Sequence, residues 1–458
     1  MDHMSGTQRS ALTIAVLTSF LGPFLISGVN IALPAIEREF DLDAVALSWV
    51  VTSYLLSSAV FLLPIGKLAD IRGQKTIFQG GIIIFTIATA LCGIAPNGLM
   101  LILSRVVQGL GAAMTMTTGA PILVSVFPPI DRGKVLGINV AAVYLGLSMG
   151  PFIGGMLTQH FGWRSIFLFC VPLGIAATAL VFYKLKTDIT LKIPGKIDHI
   201  GAIYYSTGLI AIVYSSSNLN KSFGWPLLIT GILFLVLFVI RCKKTAYPIF
   251  EITLFTRNRL FAFSNIAALI NYSATFSLVF LMSLFLQKIK GFTPQQSGII
   301  LVVQPLMMTI LSPFAGKLSD KIEPRKLATA GMLISAIGLF MLAFIGQQTP
   351  VYMIVAVLIL MGTGFGIFSS PNMNTIMSSV EKKQLGIASG TSSTMRVVGQ
   401  MVSMMIATLI FSLYFSETHI AEVDNTLFNS SIRLSFTVSG LICFAGLYFS
   451  NSRGNLRK

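Results

Sequence analysis

Residues 49–75 read WVVTSYLLSSAVFLLPIGKLADIRGQK. The first part is free of charge, and no charged residue lies between Asp43 and Lys67. A helix over such a run crosses the ~30 Å hydrocarbon layer of a bilayer. The second part changes character at once. Gly66 and Gly73 bracket Asp70, and Lys67, Arg72 and Lys75 add positive charge. The glycines permit a tight turn, and Asp70 can accept bonds from Arg72 or from the N-terminus of a neighbouring helix. The stretch reads as a membrane-crossing helix followed by a short basic loop.

The same alternation runs outward in both directions. Of the 458 residues, 54% are hydrophobic and only 10% are charged, against about 25% charged in an ordinary soluble domain. A soluble surface with so few charges would be mostly apolar and would aggregate. Continuous apolar runs also exclude barrel strands, which alternate and span only about 10 residues. The spans expected are 11–34, 47–65, 76–95, 99–126, 135–158, 164–183, 199–217, 225–241, 260–286, 298–315, 327–346, 351–378, 388–413 and 433–450. Span seven is short and ends in the polar run Ser215-Ser216-Ser217-Asn218. The fold class is therefore an all-α membrane protein with fourteen transmembrane helices.

The formal net charge is +16. In a soluble chain that would suggest nucleic acid. Here the basic residues sit in short connections, so they report topology and no nucleic-acid partner is expected. With the N-terminus in the cytoplasm, only Arg38, Arg164, Lys221, Lys288, Lys290 and Arg433 fall outside. Arg105 and Arg396 lie within spans, and the rest of the 32 Lys and Arg are inside. Both termini are thus expected in the cytoplasm, in the cell (inner) membrane of a prokaryote. The first apolar run is too long for the core of a cleavable signal. Cys92, Cys170 and Cys443 lie in apolar runs and Cys242 in a basic loop, with no metal or disulfide spacing. No metal and no cofactor are expected.

One repeat is visible. Gly316-Lys317-Leu318-Ser319-Asp320 follows span ten as Gly66–Asp70 follows span two, eight spans apart in the same orientation. Six-span halves with two extra spans between them give that offset, and parallel repeats are a common transporter design. The expected units are 1–183, an inserted pair at 184–258, and 259–458. The second copy is degenerate, with Glu323-Pro324 where the first has glycine.

Span four carries Arg105, Gln108 and Gly109 on one helical face. An arginine at membrane depth costs about 2.5–3.5 kcal/mol on insertion scales, so it should face protein or water. It either handles substrate or protons, or bonds backbone carbonyls near a helix end. In span five Gly146, Gly150 and Gly154 share a face that lets a neighbouring backbone approach. Pro151 bends the helix, and Gly155 follows. Arg396 shares a face with Ser389, Ser392 or Ser393, Gln400 and Ser403, facing either a polar lumen or another helix. Asn30, Asn265, Asn271, Tyr272, Gln304, Asn372 and Asn374 are further cavity candidates.

The 66–75 loop resembles the signature loop of the major facilitator superfamily. Arg105-Val-Val-Gln108-Gly109 resembles its span-four motif, and Gly146 to Gly155 its antiporter motif. With Asn30-Ile-Ala-Leu-Pro34, and Gly386-Ile-Ala-Ser-Gly390 ahead of Arg396, the whole chain resembles the fourteen-span drug:proton antiporters. The resemblance implies two six-helix bundles plus two central helices. It implies export of amphipathic drugs or metabolites, driven by the proton gradient, by a monomer in the bilayer. It also implies that Gly66, Asp70, Arg72, Gly73 and Lys75, with Gly316 and Asp320, form a gating latch. One departure stands out. Members carry an Asp in the middle of span one, where this chain has Leu25. None of the sixteen acids falls in a span core, although a buried carboxyl is the usual carrier of a coupling proton. Coupling would then use an edge carboxylate such as Asp70 or Asp198, and substrates would be neutral or anionic. The alternative is a facilitator or exporter of an anionic metabolite or lipid without proton exchange. His3, His160, His199 and His419 lie at loops or ends, and no catalytic set converges, so no enzyme is expected.

Overall fold

A computed structural model describes residues 5–128, 131–184, 196–381, 384–415 and 418–456, with no strand among them. Asp2, His3, Asp188 and Glu417 lie outside the described residues. Six long helices come first: α1 (Gly6–Phe40), α2 (Ala44–Arg72), α3 (Gln74–Gly93), α4 (Gly98–Val126), α5 (Arg132–Phe161) and α6 (Arg164–Lys184). A hairpin of α7 (His199–Ser216) and α8 (Gly224–Lys244) follows, then the short α9 (Ile252–Arg257). Next come α10 (Arg259–Thr275), α11 (Leu278–Leu284), α12 (Pro294–Leu301) and α13 (Val303–Ser319). The last four are α14 (Pro324–Leu342), α15 (Val351–Ser378), α16 (Leu385–Phe415) and α17 (Asn425–Ser452).

Among the described residues, 13 helical spans are long and apolar enough to cross a membrane. Two are composite: α10, α11 and a π-helical turn at Phe285–Ile289 form one, and α12 with α13 form another. The expected seventh crossing is the exception. Helix α7 is there, 18 residues long, but His199, three tyrosines and two closing serines make it too polar to count with the rest.

Local chemistry sets the ends. Ser5 and Gln8 form a capping box at the start of α1, and Thr293 and Gln296 form another ahead of Pro294; each pair satisfies two orphan backbone N–H groups. The first span was expected to stop at Pro34, but α1 continues to Phe40. It ends where Asp41 turns left-handed, at φ 53°, a conformation that Asp tolerates better than most residues. Cys242 also belongs to a helix rather than a loop, buried in α8.

The helices sort into two packing groups. In the first, α1 packs on α5, α2 on α4, and α3 on α4 and α6. In the second, α10 packs on α16 and α17, and α15 on α13 and α14. The groups meet where α5 touches α12 and α13, α2 touches α16, and α1 touches α11. The α7–α8 hairpin bridges them. Tyr205 donates to Ala59 O of α2 at 3.0 Å, and Ser412 of α16 donates to Ser217 O at 3.1 Å. Helix α8 turns Ile229, Leu233, Val236 and Ile240 outward, an apolar face suited to lipid. The face of the bundle where α1 starts and α17 ends is the terminal face below; the other is the opposite face.

Candidate functional site

Arg105 of α4 is fully buried, so its charge needs partners from protein. Its Nε donates to Val50 O of α2 at 3.0 Å, and one terminal nitrogen donates to Gln108 Oε1. Gln108 in turn donates to Thr89 of α3 at 2.7 Å. The guanidinium lies 4.3 Å from the centre of the Tyr54 ring, a stacking that stabilises a desolvated cation by about 2 kcal/mol. Its other terminal nitrogen has no partner. The carbonyl contact fits a structural role, and the free nitrogen leaves its two N–H donors for a ligand or water. Gly109 lies elsewhere. A Cβ there would stand 2.5 Å from Tyr54 O and 2.8 Å from Ser57 Cβ, so it is a packing position between α2 and α4 and not a cavity wall.

A pocket opens in the second group, in its terminal half. Tyr272 and Ala268 of α10, Phe368, Ser369 and Asn372 of α15, and Ser392, Ser393 and Arg396 of α16 line it. Arg396 is half-buried and has no hydrogen-bond or ion-pair partner among the described residues. It acts through charge on both Tyr54 and Tyr272. No described carboxylate lines the pocket. Tyr272 is held edge-on to Phe365, with centroids 5.2 Å apart. The polar stripe on α16 divides. Its terminal part faces the pocket, whereas Ser403 accepts from the backbone N–H of Ser277 at 3.0 Å. That bond satisfies the chain where α10 breaks into α11. Gln400 is half-buried outside the pocket lining.

Helix α5 is a glycine wedge. Cβ atoms at Gly146 and Gly154 would stand 2.5 Å from Phe20 O and 2.9 Å from Gly28 Cα, and one at Gly150 would stand 2.8 Å from Phe24 O. All three therefore face α1. The next face belongs to the second group. A Cβ at Gly155 would stand 2.6 Å from Pro294 O, and one at Gly298 of α12 would overlap Pro151 O. One helix thus presses backbone to backbone on both groups.

The loop expected at 66–75 is almost wholly helical: α2 runs on through Gly66 to Arg72 and α3 starts at Gln74, so the chain turns at Gly73 alone, whose φ of 105° suits glycine. Asp70 accepts from neither Arg72 nor a backbone N–H of α3. Its Oδ1 takes the side-chain Nε2 of Gln74 at 2.8 Å, while Arg72 is exposed. In the repeat, Ser319 donates to Gly316 O at 2.7 Å and Asp320 is exposed. Asp198 is bound up elsewhere: it caps α7 through Gly201 N at 3.1 Å and accepts from Arg241 of α8 at 3.2 Å. Among the other candidates, Asn30, Asn265, Asn271 and Gln304 are buried. Both polar atoms of Asn271 lack partners, as does Oδ1 of Asn30 and of Asn265. Asn374 donates to Ser319 at 3.1 Å. Leu25 is buried in the core.

Hydrogen bonds across the two groups gather toward the opposite face. Ser48 pairs with Thr408 at 2.9 Å, Gln287 donates to Ile31 O at 3.0 Å, and Gln295 N donates to Gln159 Oε1 at 3.3 Å. Ala44 N donates to Thr418 O at 3.2 Å, and Ala421 N to Glu37 Oε1 at 2.9 Å. Deeper in, Ser148 meets Thr309 at 3.3 Å and Tyr144 meets Ser369 at 2.9 Å. On the terminal side, Gly386 and Gly390 of α16 have nothing within 4 Å of a would-be Cβ. Two buried charges escape sequence reasoning, Glu37 in this seam and Arg453 within the second group. Glu37 looks like a loop acid until α1 is seen to run past it. Arg453 looks like a tail charge, yet it is 1% exposed. It donates to Asn372 Oδ1 at 2.6 Å and Pro324 O at 3.0 Å, and burial pushes its guanidinium down to about 10.

The Major Facilitator Superfamily pattern matches residues 15–243 and 265–457. The chain is 31% identical over 445 residues to the riboflavin transporter RibZ of Clostridioides difficile, covering 95% of each. It is 30% identical over 422 residues to a methylenomycin A resistance protein of Bacillus subtilis, covering 90% of this chain and 89% of the relative. It is 29% identical over 416 residues to the multidrug resistance protein Stp of Mycobacterium tuberculosis, covering 88% and 77%. A multi-pass helical bundle with this match along its length settles the family: the chain belongs to the Major Facilitator Superfamily of membrane transporters.

Proposed function

We propose that this transporter exports amphipathic small molecules, neutral or anionic, by alternating access and in exchange for protons. The units 1–183 and 259–458 rock against each other, and the 184–258 hairpin follows them as a peripheral strap. The terminal face is cytoplasmic, as the distribution of Lys and Arg favours, and one chain suffices. The structure then corresponds to a state sealed on the outside and accessible from the cytoplasm. In that state the 66–75 loop is an unlatched inner gate.

The observation that carries the substrate reading is Arg396. It is a cation without a partner in a pocket of serines and aromatic rings, with no described carboxylate. Such a site favours a planar molecule with an anionic or carbonyl-rich edge, because guanidinium groups pair with such edges through two parallel bonds. A lipophilic cation would meet repulsion there. The relatives named for riboflavin transport and for drug resistance are compatible with substrates of this build. The likeness to a riboflavin transporter favours a second reading, a metabolite facilitator without proton exchange. Efflux from proteoliposomes decides between them. A lipophilic anion and a lipophilic cation are each followed with and without a pH gradient. Anion export accelerated by the gradient supports the first reading. Anion flux indifferent to the gradient supports the second. Brisk proton-driven cation export refutes the substrate class.

A further inference from the structure

Glu37 lies in the last turn of α1 and is 5% exposed. A carboxylate so far from water needs hydrogen-bond donors. It finds them across the seam. Its Oε1 accepts from Ala421 N at 2.9 Å, and the Ile420 N–H lies close by. Lys288, on the π-helical turn after α11, donates to Ala421 O at 3.0 Å and is near enough to attract Glu37. A carboxylate from one group and an ammonium from the other thus grip the same short loop, between α16 and α17.

The other charged groups around it are engaged differently. Glu39 turns to Trp163 and Arg164 at the start of α6, within its own group. Asp43 caps α2 and Asp424 caps α17. Asp41 and His419 face each other across the seam at 3.6 Å, but that carboxylate is 92% exposed and a solvated pair contributes little. Glu422 acts on His419.

The geometry points to Glu37 as a proton-operated lock on the outer gate. Ionised, it holds the seam closed through charge-assisted bonds, which are about twice as strong as neutral ones. Hydronium in the external water passes a proton to the carboxylate: an O–H bond forms on Glu37 as one breaks in hydronium, and a water molecule is left. The neutral acid is a weaker acceptor and presents an O–H to a cluster of donors. The seam loosens, and the proton returns to water before it recloses. The inference rests on the alternating-access reading and needs no net proton transport.

Spin labels at Ile94→Cys and Phe344→Cys, exposed positions of the two groups, report the width of the outer cleft in the full chain in nanodiscs. Lowering the pH from about 7.5 to about 5 should raise the wide-to-narrow ratio about tenfold in the wild-type background. Glu37→Gln should show the wide population at both pH values. Glu37→Asp should keep the response and control for folding, and His419→Asn should keep it too. A Glu37→Gln protein that stays narrow, or follows pH as the wild type does, overturns the lock. So does loss of the response in His419→Asn. If substrate changes the cleft while Glu37→Gln tracks the wild type, only this inference fails. If no condition moves the cleft, alternating access fails with it.

Discussion

Gly298→Ala tests the seam between the two groups with one methyl. A Cβ at 298 would overlap Pro151 O, and the Pro151 carbonyl carbon would be 3.0 Å away. Both atoms are backbone, so no rotamer relieves the clash; α12 and α5 must separate. Overpacking of this kind costs about 1–3 kcal/mol. The helix gain from replacing glycine, about 1 kcal/mol, applies in both conformations and cancels. The overpacking cost falls only on the state in which these backbones touch. A bias of that size shifts the balance toward the outward-open state about 5- to 150-fold. The assay is labelling of Ser48→Cys, whose hydroxyl now meets Thr408 in the closed seam, by a membrane-impermeant maleimide applied outside. The native cysteines are all buried, so background is low. Labelling should rise at least fivefold on adding Gly298→Ala, while Gly386→Ala, with open space around it, should leave the rate unchanged. An unchanged rate in Gly298→Ala would show that the contact does not define a state.

Other substitutions separate function from stability. Gly150→Leu acts within one group, where Phe24 O and Gly28 N crowd the site; it should inactivate transport and lower the melting temperature in detergent, and normal melting would contradict the wedge. Asp70→Asn weakens the acceptor for Gln74; flux should fall at least tenfold with insertion intact, and wild-type flux would remove the loop from the gating account. Arg396→Gln removes a cation that bonds to nothing in the fold; uptake of a lipophilic anion into inverted vesicles should lose about tenfold in kcat/KM at unchanged melting temperature. Arg453→Ala strips donors from Asn372 and Pro324; it should destabilise by about 2–3 kcal/mol in denaturant titration, and a neutral result would make that cluster incidental.

Much of this architecture is legible in the sequence because a bilayer punishes exposed charge. Charge-free runs had to be spans, and the four-residue glycine period of α5 had to meet another backbone. That this backbone is α1, and that Gly155 turns to α12 instead, is not written in the period itself. The end of α1 is hidden in the sequence because Pro34 and the charges after it look like a boundary. The helix continues because Arg38 bonds Pro34 O at 3.0 Å and Asp41 accepts the left-handed cap. The break after Thr275 has neither Pro nor Gly to announce it; it persists because Ser403, distant in sequence, satisfies Ser277 N. Asp70 lost its expected partner to Gln74, which the turn geometry brings closer than Arg72.

Paired distances read from both faces of one molecule test the alternating-access claim most directly. One label pair spans the outer cleft, at positions 94 and 344; the other joins the 66–75 loop to the start of α16 on the terminal face. Substrate and an imposed pH gradient should widen one distance while narrowing the other, in the same molecules and with the same time course. Distances that change together, or an outer cleft that opens while the terminal face stays open, would contradict rocking about a central site.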